Sequence, residues 1–342
     1  MRRFVLVLLA LALVAPEPGR GAAPEPGRGA PGQTTLDAVA KTAADVPRLH
    51  SLLVSHQSTL VLERYFNGRR ATQHANVKSV SKSVIATLVG IAIEQTHIPS
   101  VREPIAGYFP DLLRGDANAA KRAITVEDLL TMRSGLESTS GRNYGAWVTS
   151  RNWVRYALAR PLETPPGEEM EYSTGNSHLL SAMLTIATKK STWQYAQEVL
   201  AKPLGFSLAR WPQDPQGIYF GGNDMLFTPR QLVTFGEPYL HRGRHGDQQI
   251  VPSRWVDDSF VPRGQSDFND QLYGYGWWMR EFAGEQAFFA WGFGGQYVFV
   301  IPRLQLVVVT TSSTATGEER RGHRRTIFGL LEDVITTLRQ AA

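Results

Sequence analysis

The segment from Ser79 to Gln95, SVSKSVIATLVGIAIEQ, offers no polar face. Wound as a helix, it spreads Val80, Ile85, Leu88, Val89 and Ile93 around its circumference, with Ala86, Gly90 and Ala92 in the gaps. A helix that is apolar nearly all round belongs in a core, with other elements on every side. A chain of 342 residues is long enough to supply them, as one large domain or two closely packed ones. Its 42% hydrophobic and 20% charged residues are ordinary for a soluble protein and imply neither disorder nor an integral membrane fold.

The formal charge of +5 sits partly in Arg2 and Arg3 and in the late cluster Arg320, Arg321, Arg324 and Arg325. The interior carries no basic stripe with interleaved aromatics, so no nucleic-acid partner is expected. Residues 1–15 place the two arginines before a short apolar run, the pattern of a secretory signal. An uncleaved anchor is the alternative, because the best small-residue cleavage site, Gly21 to Ala23, is followed by Pro24. The octapeptide APEPGRGA occurs twice, at Ala15–Ala22 and Ala23–Ala30, and reads as a linker. Residues 1–32 are therefore expected to be leader and linker of an exported, periplasmic or secreted protein with no integral span after processing. With no cysteine, disulfides, thiol catalysis and thiolate metal sites are excluded, and packing alone must stabilise the fold.

The patterns predict a helix over 36–48, strands at 51–54 and 59–65, and the apolar helix at 79–95. Helices follow at 126–133, 152–159, 177–188 and 193–200, then strands at 274–280, 286–291, 296–301 and 305–311, and a last helix at 325–339. Strands at both ends around a helical middle predict an α+β fold with its site between the two parts.

Three stretches can carry chemistry. Ser79 and Lys82, three apart on a helix, share a face, where an amine can take a hydroxyl proton. An ammonium in the first turn of a core helix is unfavourable unless a partner or a lowered pKa compensates. The bland alternative is a Lys82 that snorkels to solvent beside a Ser79 that merely caps the helix. Glu171 to Asn176 is a polar turn opening a helix, and it can present the Tyr172 phenol to a cleft as a proton donor, or keep it as packing. Ala290 to Gln296, AWGFGGQ, can let a substrate carbonyl approach the backbone, or can simply shape a twisted hairpin. The G-x-S-x-G elbow, H-E-x-x-H, the Walker loop and G-x-G-x-x-G after a strand are all missing, and His74, His97 and His178 have no ligand spacing, so neither metal nor cofactor is expected. Trp147, Trp153, Trp277, Trp278 and Trp291 are either core or the lining of an acyl pocket.

Ser-x-x-Lys, a tyrosine loop about ninety residues on and a glycine-rich strand near the end, in that order, resemble the serine β-lactamase and penicillin-binding-protein superfamily. The stretches TVEDLLTMRSGL (125–136), 172–180, 216–222 and 292–296 look like its class C-like branch of 6-aminohexanoate-dimer hydrolases and family VIII carboxylesterases. The resemblance covers about residues 45–338. It implies a β-lactamase/transpeptidase-like antiparallel sheet flanked by helices, built from 33–101 and 211–342, with a mainly helical domain inserted at 102–210. It implies Ser79 as acylated nucleophile, Lys82 as its base and Tyr172 as proton shuttle. The family's Tyr-x-Asn reads Tyr172-Ser173-Thr174 here, so Thr174 or Asn176 must supply the polar contact. The Lys-Thr-Gly or His-Thr-Gly motif reads Ala290-Trp291-Gly292 or Gly292-Phe293-Gly294, and neither register keeps the cation that holds a substrate carboxylate. The oxyanion donors are then the N–H of Ser79 and that of Phe293 or Gly295. The expected function is cleavage of a small linear amide or ester through an acyl-enzyme. A β-lactamase or D-alanyl-D-alanine carboxypeptidase activity, or a non-catalytic binding role on the same scaffold, are the alternatives.

Overall fold

The most continuously apolar strand sequences lie in the middle of one antiparallel sheet in the computed structural model, which describes residues 31–115, 119–317 and 321–341. The chain begins with helix α1 (Pro31–Ala44), strands β1 (Leu49–His56), β2 (Thr59–Tyr65) and β3 (Ala75–Asn76), and helix α2 (Ser81–Glu94). Helices α3 (Val126–Leu130), α4 (Tyr144–Val148), α5 (Trp153–Ala159), α6 (Thr174–Thr188) and α7 (Thr192–Ala196) follow. Next come β4 (Leu226–Phe227), α8 (Pro229–Gly236), β5 (Arg244–His245), β6 (Gln248–Gln249) and α9 (Ser253–Ser259). The chain closes with β7 (Gly264–Gln265), β8 (Leu272–Tyr273), β9 (Trp278–Phe282), β10 (Glu285–Gly292), β11 (Gln296–Ile301), β12 (Leu306–Ser312) and helix α10 (His323–Ala341). The eight-stranded sheet runs β2-β1-β12-β11-β10-β9-β8-β7, and β3–β4 and β5–β6 form separate short pairs.

Every residue of β11 and β12 is buried, because both faces of the sheet are covered. The two-residue side-chain period sorts them: Val298, Val300, Val307 and Val309 join the core around α2, while Tyr297, Phe299, Ile301, Leu306 and Val308 join the core under α1 and α10. Helix α10 presents Ile327, Leu330, Leu331, Val334 and Leu338 to that outer core at helical spacing.

Helix α2 lies on the inner side, and all of Ser81 to Ala92 is buried, as its sequence requires. Helices α3 to α7 join the same inner core, with α6 against α2. Among the described residues of 102–210 there is no strand, only isolated bridges such as Pro104–Thr125.

Several expected boundaries are corrected. The strand expected at 274–280 is broken by a turn between β8 and β9, where the Ser83 hydroxyl donates to the Gly276 carbonyl (2.5 Å) and a Cβ on Gly276 would lie 2.8 Å from that of Ala86. The helix expected at 193–200 gives way after Ala196 to a wide turn in which the Lys202 N–H reaches the Gln197 carbonyl. Helix α1 spans 31–44 rather than 36–48, and α6 begins at Thr174 rather than Ser177. The expected signal segment and nearly all of the linker lie outside the described residues. Among the described residues no helix is long and apolar enough to cross a membrane.

Gly90 marks how closely α2 is packed, since a Cβ there would lie 2.2 Å from the Trp255 ring. Glycine to alanine inside a helix ordinarily stabilises by about 0.5–1 kcal/mol. Here the sign reverses: Gly90→Ala should destabilise by about 1–3 kcal/mol through overpacking, seen as a lower urea midpoint, and an unchanged or raised midpoint would contradict the packing described.

Candidate active site

Ser79 sits in a 3-10 turn, Lys78–Val80, that runs directly into α2. Neither it nor Val80 caps the helix through a side chain, so the capping role is not what places Ser79 there. The preceding residue, Lys78, has φ of 51°, a left-handed conformation unfavourable for a side chain of that size. Three contacts hold it, and a fourth ties two of its partners together. Asn76 Oδ1 accepts the Lys78 N–H (3.0 Å), the Ser81 hydroxyl donates to the Lys78 carbonyl (2.6 Å), and Lys78 Nζ meets Asp224 (2.7 Å), which also accepts from Asn76 Nδ2 (2.9 Å). The β3–β4 bridge of Ala75–Asn76 to Leu226–Phe227 fastens the two segments beside this network.

Lys82 does not snorkel. It is 3% exposed, and its Nζ lies 3.0 Å from Ser79 Oγ, 3.2 Å from Thr174 Oγ1 and 2.6 Å from the Gly222 carbonyl. Burial drives its pKa down to about 7, against an upward pull from the Asp224 charge. A neutral amine has two hydrogens and one lone pair. The Gly222 carbonyl can only accept and takes one hydrogen, Thr174 Oγ1 takes the other, and the lone pair is left to accept the proton of the Ser79 hydroxyl.

Tyr172 stands at the same point. Lys82 Nζ is 4.9 Å from its ring centroid, Trp278 stacks on it at 5.5 Å, and Tyr273 meets it edge-on. Burial raises its pKa well above the usual phenol range, and its hydrogen bond with Ser79 only partly opposes this. The phenol therefore keeps its proton at neutral pH.

The residues of the two motifs with open alternatives lie in different places. Thr174, not Asn176, supplies the contact to Lys82; the Asn176 amide accepts from the Ser134 hydroxyl (3.0 Å) and is removed from the site by that pairing. Phe293, not Gly295, lines the cavity with Ser79. The Gly295 N–H turns back to the Gly292 carbonyl (3.4 Å), its carbonyl accepts from Thr310 and Ser312, and a Cβ there would meet His323 at 2.7 Å. Gly292 allows close passage behind the serine: a Cβ on it would lie 2.1 Å from the Val77 carbonyl. Neither register restores a cation, and Ala290 is fully buried in β10.

Gly222, Asp224 and Ser140 carry roles that motif spacing did not reveal. Gly221 and Gly222 lie flat on the start of α6, where Cβ atoms would meet the Ser177 carbonyl at 2.1 Å and Thr174 Cγ2 at 2.6 Å. Buried His178 accepts the Gly221 N–H on Nδ1 (3.4 Å) and pairs through Nε2 with Asp214 (3.1 Å), so an imidazole with no ligand spacing still positions the loop. The run Gly221-Gly222-Asn223-Asp224 was the available signal. Ser140 Oγ bonds Thr174 Oγ1 (2.9 Å).

The cavity in front of Ser79 has a volume of about 770 Å³. Tyr172, Trp278, Trp291 and Phe293 give it an aromatic wall, with Met170 and Phe268 further out. Of the five tryptophans considered for an acyl pocket, Trp278 and Trp291 line it, whereas Trp147, Trp153 and Trp277 are core. Arg142, the one cation lining it among the described residues, is bonded to Glu137 (3.2 Å).

A family model described as Beta-lactamase matches residues 50–332. The chain is 24% identical over 342 aligned residues to the 6-aminohexanoate-dimer hydrolase of Paenarthrobacter ureafaciens, covering 89% of this chain and 83% of that one. Among solved structures it is similar to a penicillin-binding-protein homologue from Caulobacter crescentus, with a TM-score of 0.71 at 15% identity and coverage of 90% and 97%. EstCE1, described as a hydrolase with promiscuous acyltransferase activity, gives a TM-score of 0.70 at 16% identity and coverage of 88% and 98%.

Because Lys82 is neutral more readily in the folded chain, the unfolded chain binds more protons between pH 7 and about 10, and stability rises with pH there. Lys82→Met should remove this component, with the difference in slope between parent and variant approaching about 1.4 kcal/mol per pH unit. Urea unfolding at pH 7, 8 and 9 measures it, and parallel slopes would show that the amine is not desolvated.

Proposed function

The chain belongs to the Beta-lactamase family of serine hydrolases, and from that premise we propose that it cleaves linear esters or amides through an acyl-enzyme on Ser79. The observation that carries this reading is the buried Lys82 amine, lowered to about 7 and 3.0 Å from Ser79 Oγ. The Ser79 oxygen attacks the substrate carbonyl as its proton passes to Lys82. Tyr172, which holds its proton, supplies one to the leaving alkoxide or amine, and the Lys82 ammonium, which holds the proton taken from Ser79, returns one to the phenolate. The N–H groups of Ser79 and Phe293 receive the oxyanion. Water then attacks the ester on Ser79, its proton returning to the same pair, and the acid leaves.

Linear substrates are favoured over β-lactams and cell-wall peptides because no third-motif cation stands ready for a substrate carboxylate. An aromatic wall on a cavity of about 770 Å³ accommodates an apolar acyl group. Likeness to the Paenarthrobacter 6-aminohexanoate-dimer hydrolase supports a hydrolase of this class.

A short p-nitrophenyl ester, with a chromogenic cephalosporin alongside, tests the proposal. Turnover of the ester should exceed that of the cephalosporin, fall by about a thousandfold or more in Ser79→Ala and Lys82→Ala, and fall by about a hundredfold in Tyr172→Phe. The acid limb of kcat/KM should have its midpoint near pH 7, where the Lys82 amine becomes protonated, and should move to lower pH in Asp224→Asn. A parent that neither turns over nor becomes acylated would remove the proposal, and preferential cephalosporin cleavage would replace it with the β-lactamase reading.

Export is part of the same proposal and rests on Arg2 and Arg3 before the apolar run to Ala15. Cell fractionation should place the protein outside the cytoplasm. Recovery of the full chain from the cytosol would count against it.

A further inference from the structure

A second cavity, of about 380 Å³, opens between the start of β1, the 66–76 loop and the end of β12. It shares no lining residue with the cavity at Ser79. Arg69, Arg70, His50, His74, Ser313 and Thr314 line this second cavity, and among the described residues no carboxylate does.

The loop carrying the arginines is built rather than loose. Asn67 Nδ2 donates to the Pro47 and Leu49 carbonyls (2.9 and 2.8 Å), the Arg69 N–H closes on the Phe66 carbonyl (3.0 Å), and Gln73 Oε1 accepts the Arg70 N–H (3.0 Å). On the opposite wall, buried Arg48 donates to the Ser313 carbonyl (2.8 Å) and the Ala315 carbonyl (2.5 Å), which fixes the backbone beyond β12. Among the described residues, two carboxylates nearby in the fold are engaged elsewhere: Glu63 forks with Arg230 at 2.7 Å and accepts from the Tyr65 hydroxyl, and Asp224 holds Lys78 and Asn76. Among the described residues neither Arg69 nor Arg70 forms an ion pair with a carboxylate. Two arginines beside two hydroxyl-bearing residues on the wall of one concavity suit the oxygens of a doubly charged tetrahedral anion.

We propose that this pocket binds a phosphate-type dianion, as inorganic phosphate or as the phosphomonoester of a small molecule. Burial pushes the His50 imidazole down to about 4, and the positive field of Arg69 and Arg48 adds to that. A bound dianion opposes that field. The cavity volume lies at the lower end of the range for small-molecule sites, which suits a compact phosphorylated ligand.

Calorimetric titration of the full chain with inorganic phosphate at pH 7, at ionic strength matched with sodium chloride, tests the assignment. Saturable binding is expected, weakened by about tenfold or more in Arg69→Gln and in Arg70→Gln, with ester hydrolysis retained in both as evidence of folding. Tighter binding of glycerol 3-phosphate than of phosphate would mark a phosphomonoester as the ligand, and equal binding would mark the ion; either supports the site. Amide resonances of Gln73, His74 and Ser313 in the parent should move on titration, a readout independent of the variants. Absence of saturable binding, affinity unchanged in both variants, or displacement by chloride at matched strength would overturn it.

Discussion

Burying one lysine is the constraint around which the rest of this structure is arranged. Helix α2 is covered on all sides, so the four-carbon stem of Lys82 has no short way to water and its amine must be satisfied inside. A buried ammonium without a contacting carboxylate is penalised by several kcal/mol. The chain answers with two neutral acceptors, the Gly222 carbonyl and Thr174 Oγ1, and with a pKa near 7. Asp224 acts at a distance: it is bound to Lys78, and its charge keeps the amine from falling further.

Holding those acceptors in place explains much of the surrounding architecture. Gly221 and Gly222 can lie on α6 only because neither has a Cβ, and the His178–Asp214 pair pins the loop from beneath. Asp214 also accepts the N–H groups of Gln216 and Ile218, so one buried carboxylate orders the whole approach to Gly222. On the other side of Ser79, left-handed backbone at Lys78 and at Asp224 is tied down by the ion pair between them. Local strain beside a reactive hydroxyl is tolerated because the contacts around it over-determine the geometry.

Acid and base roles divide by environment. The Lys82 amine lies 4.9 Å from the centre of the Tyr172 ring, and desolvation moves the two groups in opposite senses, because it disfavours the charged form of each. The amine becomes the better base and the phenol the more persistent acid. The fold hosts many reactions, so the distinguishing features of this chain are those of the cavity: an aromatic wall and no free-standing third-motif cation among the described residues.

What the sequence by itself determined are the features written in short spacings. The all-apolar turn pattern of 79–95 forced a core helix, the three-residue step from Ser79 to Lys82 put both on one face, and the period-two runs near the end marked β10 to β12. Even so, some local signals went unused: Thr228-Pro229 with Gln231 is a capping box opening α8, which was not expected. Tertiary structure alone decided the rest. It broke the strand expected at 274–280, because the Gly276 turn is pressed against α2, and it set Thr174 rather than Asn176 beside Lys82 and Phe293 rather than Gly295 on the cavity wall. It also brought Gly222, 140 residues from Lys82 along the chain, to 2.6 Å from the amine. Desolvation is a property of everything that surrounds a group, and those surroundings come from segments whose sequence separation carries no spacing to read.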